Sequence, residues 1–236
     1  MTNLFSSFDP GTTILGLNLS LNWLSITICL IMAPQLFWLC NSQWSKSLLN
    51  IISYLLNELG AVFGNLVMPG TVYIYISIFF FILFSNFMGL MPYIFTGTSH
   101  LSMTLCLSLP LWLGSMLLSI IYQYNHLMAH LVPTGTPSFL MPIMVIIETV
   151  SSMIRPATLA IRLAANMVAG HLLLTLLGSQ GPMLSTMSLI ILMIALILLL
   201  LLEVGVACIQ SYVFTILNSL YLNELMSNNF SKKMIK

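Results

Sequence analysis

The sequence predicts an all-α integral membrane protein, and three observations carry that expectation. Hydrophobic residues make up 59% of the 236 residues, charged residues only 5%, and the mean hydropathy is +1.04. Soluble domains carry about 25% charged residues, so this chain could not cover a core of its own size with polar surface. Apolar runs of roughly 20 residues, the length that crosses the hydrocarbon as a helix, recur along it. The few ionisable residues inside those runs gather in the second half.

Each element follows from a local pattern. The N-terminal MTNLFSSFDPGTT has neither a basic n-region nor an Arg-rich amphipathic pattern, so no secretory signal or transit peptide is expected. The first apolar run therefore reads as a span, from about Leu17 to Cys40, with Pro34 near its far end. Residues 44–66 differ. Leu48, Ile51, Ile52, Leu55, Leu59, Val62, Phe63 and Leu66 recur at spacings of three and four, with Ser45, Asn50, Ser53, Asn57 and Glu58 between them. This predicts an amphipathic helix on the membrane surface, started by Trp44 and Lys46.

A hairpin of two spans is expected over 72–122. Its arms are Val72–Leu90, stopped by Met91-Pro92, and Leu101–Tyr122, where Pro110 should kink the helix. The Pro- and Gly-rich stretch from His130 to Ser138 breaks helix. Two long helices follow across 142–226, from about Pro142 to Leu177 and from Leu184 to Met226, with a turn at 178–182. Each exceeds a perpendicular crossing, so strong tilt is expected. No internal repeat is visible, and the chain reads as a single membrane domain, 1–236.

Several function classes are excluded. Net charge is near zero and no basic run with interleaved aromatics occurs, so nucleic acid is not an expected partner. Cys29, Cys40, Cys106 and Cys208 lie far apart in mostly apolar surroundings and read as small buried hydrophobes. His126 and His130 have a spacing that can ligate metal, but beside a Pro-rich loop they read as interfacial. Glu58 and Glu224 read as solvated. No cofactor is expected. A secondary transporter would show polar interruptions in both halves. A haem subunit would need axial histidines at membrane depth, and only His171 lies well inside an embedded helix.

The chemistry-bearing set is Glu148, Arg155, Arg162, His171, Glu203 and Gln210. Each charge near the bilayer centre costs about 2.5–3.5 kcal/mol on insertion scales, so such residues are functional candidates by default. At 3.6 residues per turn, Arg162, Ala165, Asn166 and Ala169 share a face that offers one cation among small groups. His171 falls on roughly the opposite face, and Glu203 and Gln210 point one way from the last helix. Glu and His on adjacent helices could form a polar path leading towards Arg162. A guanidinium does not deprotonate in proteins; it cannot relay protons, but it favours the ionised form of a passing carboxylate. That carboxylate must come from a partner. Arg155, beside Pro156, reads as pairing with Glu148 or snorkelling to a headgroup.

Four strings make the pattern specific: Asn86–Tyr93 (NFMGLMPY), Pro133–Pro137 (PTGTP), Glu148–Leu173 and Leu202–Phe214. In this order they resemble the signature of the a subunits of the mitochondrial F-type ATP synthase, over essentially the whole chain. The resemblance implies a stationary proton-channel subunit, not catalytic on its own, in the mitochondrial inner membrane. It implies as partners the rotating c-ring, the peripheral stalk and other membrane-sector subunits, besides the lipid bilayer. Arg162 would face the c-ring carboxylate, Asn166 would support it, and Gln210 would lie near it. His171 and Glu203 would form the paired site of the intake path, and Glu148 would belong to the other half-channel. Tyr212 is a further candidate, in packing or at the rim.

Overall fold

In lipid every backbone donor and acceptor has to be satisfied within its own segment, which helices achieve and open loops do not. The computed structural model describes residues 4–14, 17–32, 42–64, 69–132, 137 and 139–225. Six α-helices dominate the described residues: α1 (Leu24–Met32), α2 (Gln43–Phe63), α3 (Pro69–Leu90), α4 (Leu101–His130), α5 (Met141–Gln180) and α6 (Thr186–Leu225). α3, α4, α5 and α6 are long and apolar enough to cross a membrane. The all-α membrane architecture is thus as expected.

One boundary is corrected. The first helix starts at Leu24 rather than Leu17, because a small antiparallel hairpin precedes it, β1 (Thr12–Ile14) with β2 (Leu17–Leu19). Leu17, Leu19 and Leu21 alternate with Asn18, Ser20 and Asn22, a period of two that suits a strand and not a helix. The remainder of the expected first span, residues 33–41 with Pro34, lies outside the described residues. So do most of the Pro- and Gly-rich stretch after Val132 and everything beyond Leu225. α4 passes through Pro110 and runs past Tyr122 to His130.

α2 carries most of the expected stripe, although Ile51 is exposed and Leu66 lies outside the described residues. Leu55, Leu59 and Phe63 are buried, and Leu48, Ile52 and Val62 are half-buried. Its N-terminus is capped by Ser42, whose hydroxyl accepts from the Ser45 amide at 3.2 Å. Many hydroxyls of the long helices satisfy themselves on their own helices. Ser85 donates to the Ile82 carbonyl at 2.9 Å, Ser115 to Trp112 at 2.7 Å and Ser219 to Ile216 at 2.8 Å.

The chain divides into two compact units, between which α3, α4, α5 and α6 are shared. The first unit comprises Met1–Leu39, Ile78–Thr104 and Arg162–Val213. Close backbone approach holds it: a Cβ on Gly97 would stand 2.5 Å from Ile26 Cδ1, and one on Gly89 would stand 2.7 Å from Thr96 Cγ2. The Ser25 hydroxyl donates to the Phe95 carbonyl at 3.0 Å, and Trp23, Phe95 and His100 cluster with ring centroids 5.2–5.7 Å apart.

The second unit comprises Cys40–Ser77, Leu105–Ile161 and Phe214–Lys236. Phe63 packs on Tyr75 at 5.7 Å between centroids. Asn223 Nδ2 donates to the Val62 carbonyl at 2.8 Å, satisfying a carbonyl in the last turn of α2. Cys106, in the second unit, and Cys208, in the first, are exposed, contrary to the expectation of burial. Lipid is as apolar as a core, so an apolar side chain gains nothing by turning inward.

Candidate functional site

In the first unit, α6 turns polar groups inward and leucines outward. Glu203, Ala207, Gln210 and Ser211 are buried, whereas Leu200, Leu201, Leu202 and Ile209 are exposed. Spacings of four, three and one put the buried set on one face. α5 meets it with Leu163, Ala164 and Met167 buried.

Polar contacts join these helices within this unit. Asn166 Nδ2 donates to Gln210 Oε1 at 3.0 Å. His171 Nε2 lies 3.8 Å from Glu203 Oε1, close enough for charge attraction but too long for a direct hydrogen bond. The Glu203 side chain is 5% exposed, and neither of its oxygens has a hydrogen-bond partner among the described residues. Glycine makes this possible. A Cβ on Gly170 would sit 2.5 Å from Glu203 Oε1, so only a residue without a side chain lets the carboxylate lie against α5.

A cavity of about 600 Å³ opens beside this pair. Its wall includes Ser7, Asn22, Thr96, His171 and Thr175 as polar groups, with Phe8, Leu174 and Leu200 as apolar ones. Phe8 meets the His171 ring edge-on at 6.4 Å. Arg162 is exposed, as are Ala165 and Ala169, and it makes no ion pair among the described residues. Asn166 sits at the margin of that face, half-buried and turned to Gln210. Tyr212 is 41% exposed on α6.

The second unit holds the remaining charges. Arg155 Nη1 contacts Glu224 Oε2 at 2.5 Å, while its Nη2 stands 4.0 Å from Glu148 Oε1. The Tyr221 ring lies 5.1 Å from the guanidinium carbon. Glu224 is exposed, as expected of a solvated residue, and it is also the tighter partner of Arg155. No local pattern signals this pairing, because the two residues are 69 positions apart and meet only through helix packing. Glu58 is exposed, as expected. Among the described residues no cluster of three or more His, Cys, Asp or Glu could hold a metal ion.

Long apolar helices that enclose a buried carboxylate, an imidazole and paired amides, and present an unpaired guanidinium, define an ion-handling membrane subunit. The family model for the ATP synthase A chain matches residues 20–223. The ATP synthase subunit a of Locusta migratoria is 53% identical over 229 residues, covering 95% of this chain and 99% of that protein. Those of Drosophila melanogaster and Anopheles gambiae are each 53% identical at the same coverage. The chain belongs to the ATP synthase A chain family.

Proposed function

We propose that two offset half-channels carry protons to and from carboxylates of a rotating c-ring, with Arg162 as the fixed cation between the two routes. The chain is the proton-translocating subunit of the membrane sector of a mitochondrial ATP synthase, in the inner membrane, with other ATP synthase subunits as partners. The finer reading rests on one observation: a buried Glu203 carboxylate faces His171, and His171 borders a 600 Å³ cavity.

In this reading the cavity is the intake vestibule. A proton reaching His171 passes to Glu203 and then along the α5–α6 pair towards Asn166 and Gln210. Arg162 lies on the uncovered face of α5 beside Ala165 and Ala169, and their small side chains leave room for a partner helix to approach. The guanidinium keeps its own proton and favours the ionised form of the carboxylate moving past it. A reprotonated carboxylate turns with the ring into lipid, and near the end of its circuit it releases its proton towards Glu148. The potential supplies about 2.3 kcal/mol per charge per 100 mV.

The work of the chain is translocation; ATP forms on soluble subunits, and a peripheral stalk holds this chain still against the ring. The test is ATP-driven proton pumping into inner-membrane vesicles by the parent complex and by Arg162→Ala. An assembled Arg162→Ala complex that no longer pumps supports the gate. Parental pumping removes Arg162 from the mechanism.

A further inference from the structure

Arg155 has two carboxylates within reach and holds one. Glu224 on α6 contacts it at 2.5 Å, and Glu148 on α5 stands back at 4.0 Å. Tyr221 covers one side of the guanidinium. All three charges border a cavity of about 40 Å³, room for one water. α4 contributes Met116 and Leu127 to that cavity, and Leu131 just past its end also lines it, none of them titratable. One cation thus serves two anions unequally: Glu224 holds it at contact distance, and Glu148 is left the longer ion pair. Without Glu224, the Glu148 carboxylate would close the gap and be held in a charge-assisted pair.

We propose that Glu224 is a positioning residue for proton exchange at Glu148. By taking the closer hold on Arg155 it keeps the Glu148 carboxylate only loosely paired, able to accept protons from the ring and pass them on. The inference rests on the reading of Glu148 as the acid of the outlet half-channel.

The experiment measures ATP-driven proton pumping in inner-membrane vesicles, normalised to assembled complex. It compares the parent with Glu148→Gln, Glu224→Gln, Glu224→Asp and the double variant Glu224→Gln/Arg155→Gln. Glu224→Gln is expected to slow pumping about fivefold, the factor that an ion pair at the upper end of partly exposed strengths produces in a rate. Glu224→Asp, with its shorter reach, slows it less. Removing Arg155 as well restores most of the rate, because nothing then captures Glu148.

A double variant as slow as Glu224→Gln would overturn the proposal and make Glu224 itself a relay. Parental rates in both single Glu224 variants would also overturn it. If Glu224→Gln fails to assemble, Glu224→Asp with and without Arg155→Gln carries the same comparison. Glu148→Gln separates the two readings. Pumping at the parental rate sinks the outlet assignment, whereas arrested pumping beside a parental Glu224→Gln sinks only the role of Glu224.

Discussion

The two units solve the same electrostatic problem in opposite ways. In the first, the carboxylate of the α5–α6 pair is buried deeply: Glu203 is 4% exposed, its neighbour is an imidazole that need not carry charge, and the fixed cation Arg162 is left on the exposed face. In the second, three full charges lie together, and their side chains are 31–49% exposed. Deep burial penalises any fixed charge, so the first unit suits groups that can be neutral when idle. Partial exposure tolerates a standing ion cluster, whose net strength is correspondingly modest. The difference teaches that polar groups in one membrane chain need no single chemistry. The buried pair is made of switchable groups and the open cluster of balanced ones, and the proton route we propose would use both.

The contrast can be broken most severely at Glu203. Glu203→Gln keeps the shape and removes the titratable oxygen. Proton pumping per assembled complex should fall roughly a hundredfold, the loss typical of a positioned acid–base group. A fall of less than about twofold would make Glu203 a packing residue and erase the distinction between the units.

Gly170→Ala comes next. Its methyl would overlap Glu203 Oε1, and overpacking of this kind costs about 1–3 kcal/mol. Thermal stability of the complex, followed on native gels, should drop, and adding Glu203→Asp should recover it by withdrawing the carboxylate. If the double variant is no more stable, the clash is not with Glu203.

Asn166→Ala strands Gln210, whose Nε2 already lacks a hydrogen-bond partner among the described residues. Losing the remaining contact should cost about 1–3 kcal/mol, read by the same heating series. The smallest effect belongs to the open unit. Tyr221→Leu removes a cation–π contact and should cost about 0.5–1 kcal/mol, with pumping nearly unchanged. A large defect there would show that the second unit depends on fixed packing as much as the first does.

How far these features could be read in advance follows from the range of the interactions behind them. The α2 stripe and the four spans were legible, because a 3.6-residue period and a 20-residue apolar run are local signals. The N-terminal hairpin was missed because averaging over a span-length window hides the alternation from Leu17 to Asn22. His171, Glu203 and Gln210 stood out as rare polar residues in apolar helices, and the structure joins His171 to Glu203 and Gln210 to Asn166. Glu224 and Gly170 could not be found that way. Their importance depends on which turn of α5 lies against which turn of α6, and no local pattern encodes that register. The exposure of Cys106 and Cys208 escapes the sequence for a related reason, since hydropathy cannot tell a lipid face from a core face.

The hydroxyls that bond back to their own helices have one more consequence. In a low-dielectric medium a chain of free O–H groups would be a wire, able to pass charge by reorientation. Here Ser85, Ser115 and Ser219 each commit their hydrogen to a carbonyl three residues behind. Thr149, Ser151 and Thr175 do the same along α5. On the proposed route these side chains act as insulation wound around the conductor. The proton current we propose runs on the carboxylates, the imidazole and the amides, and these hydroxyls beside it are grounded to the backbone.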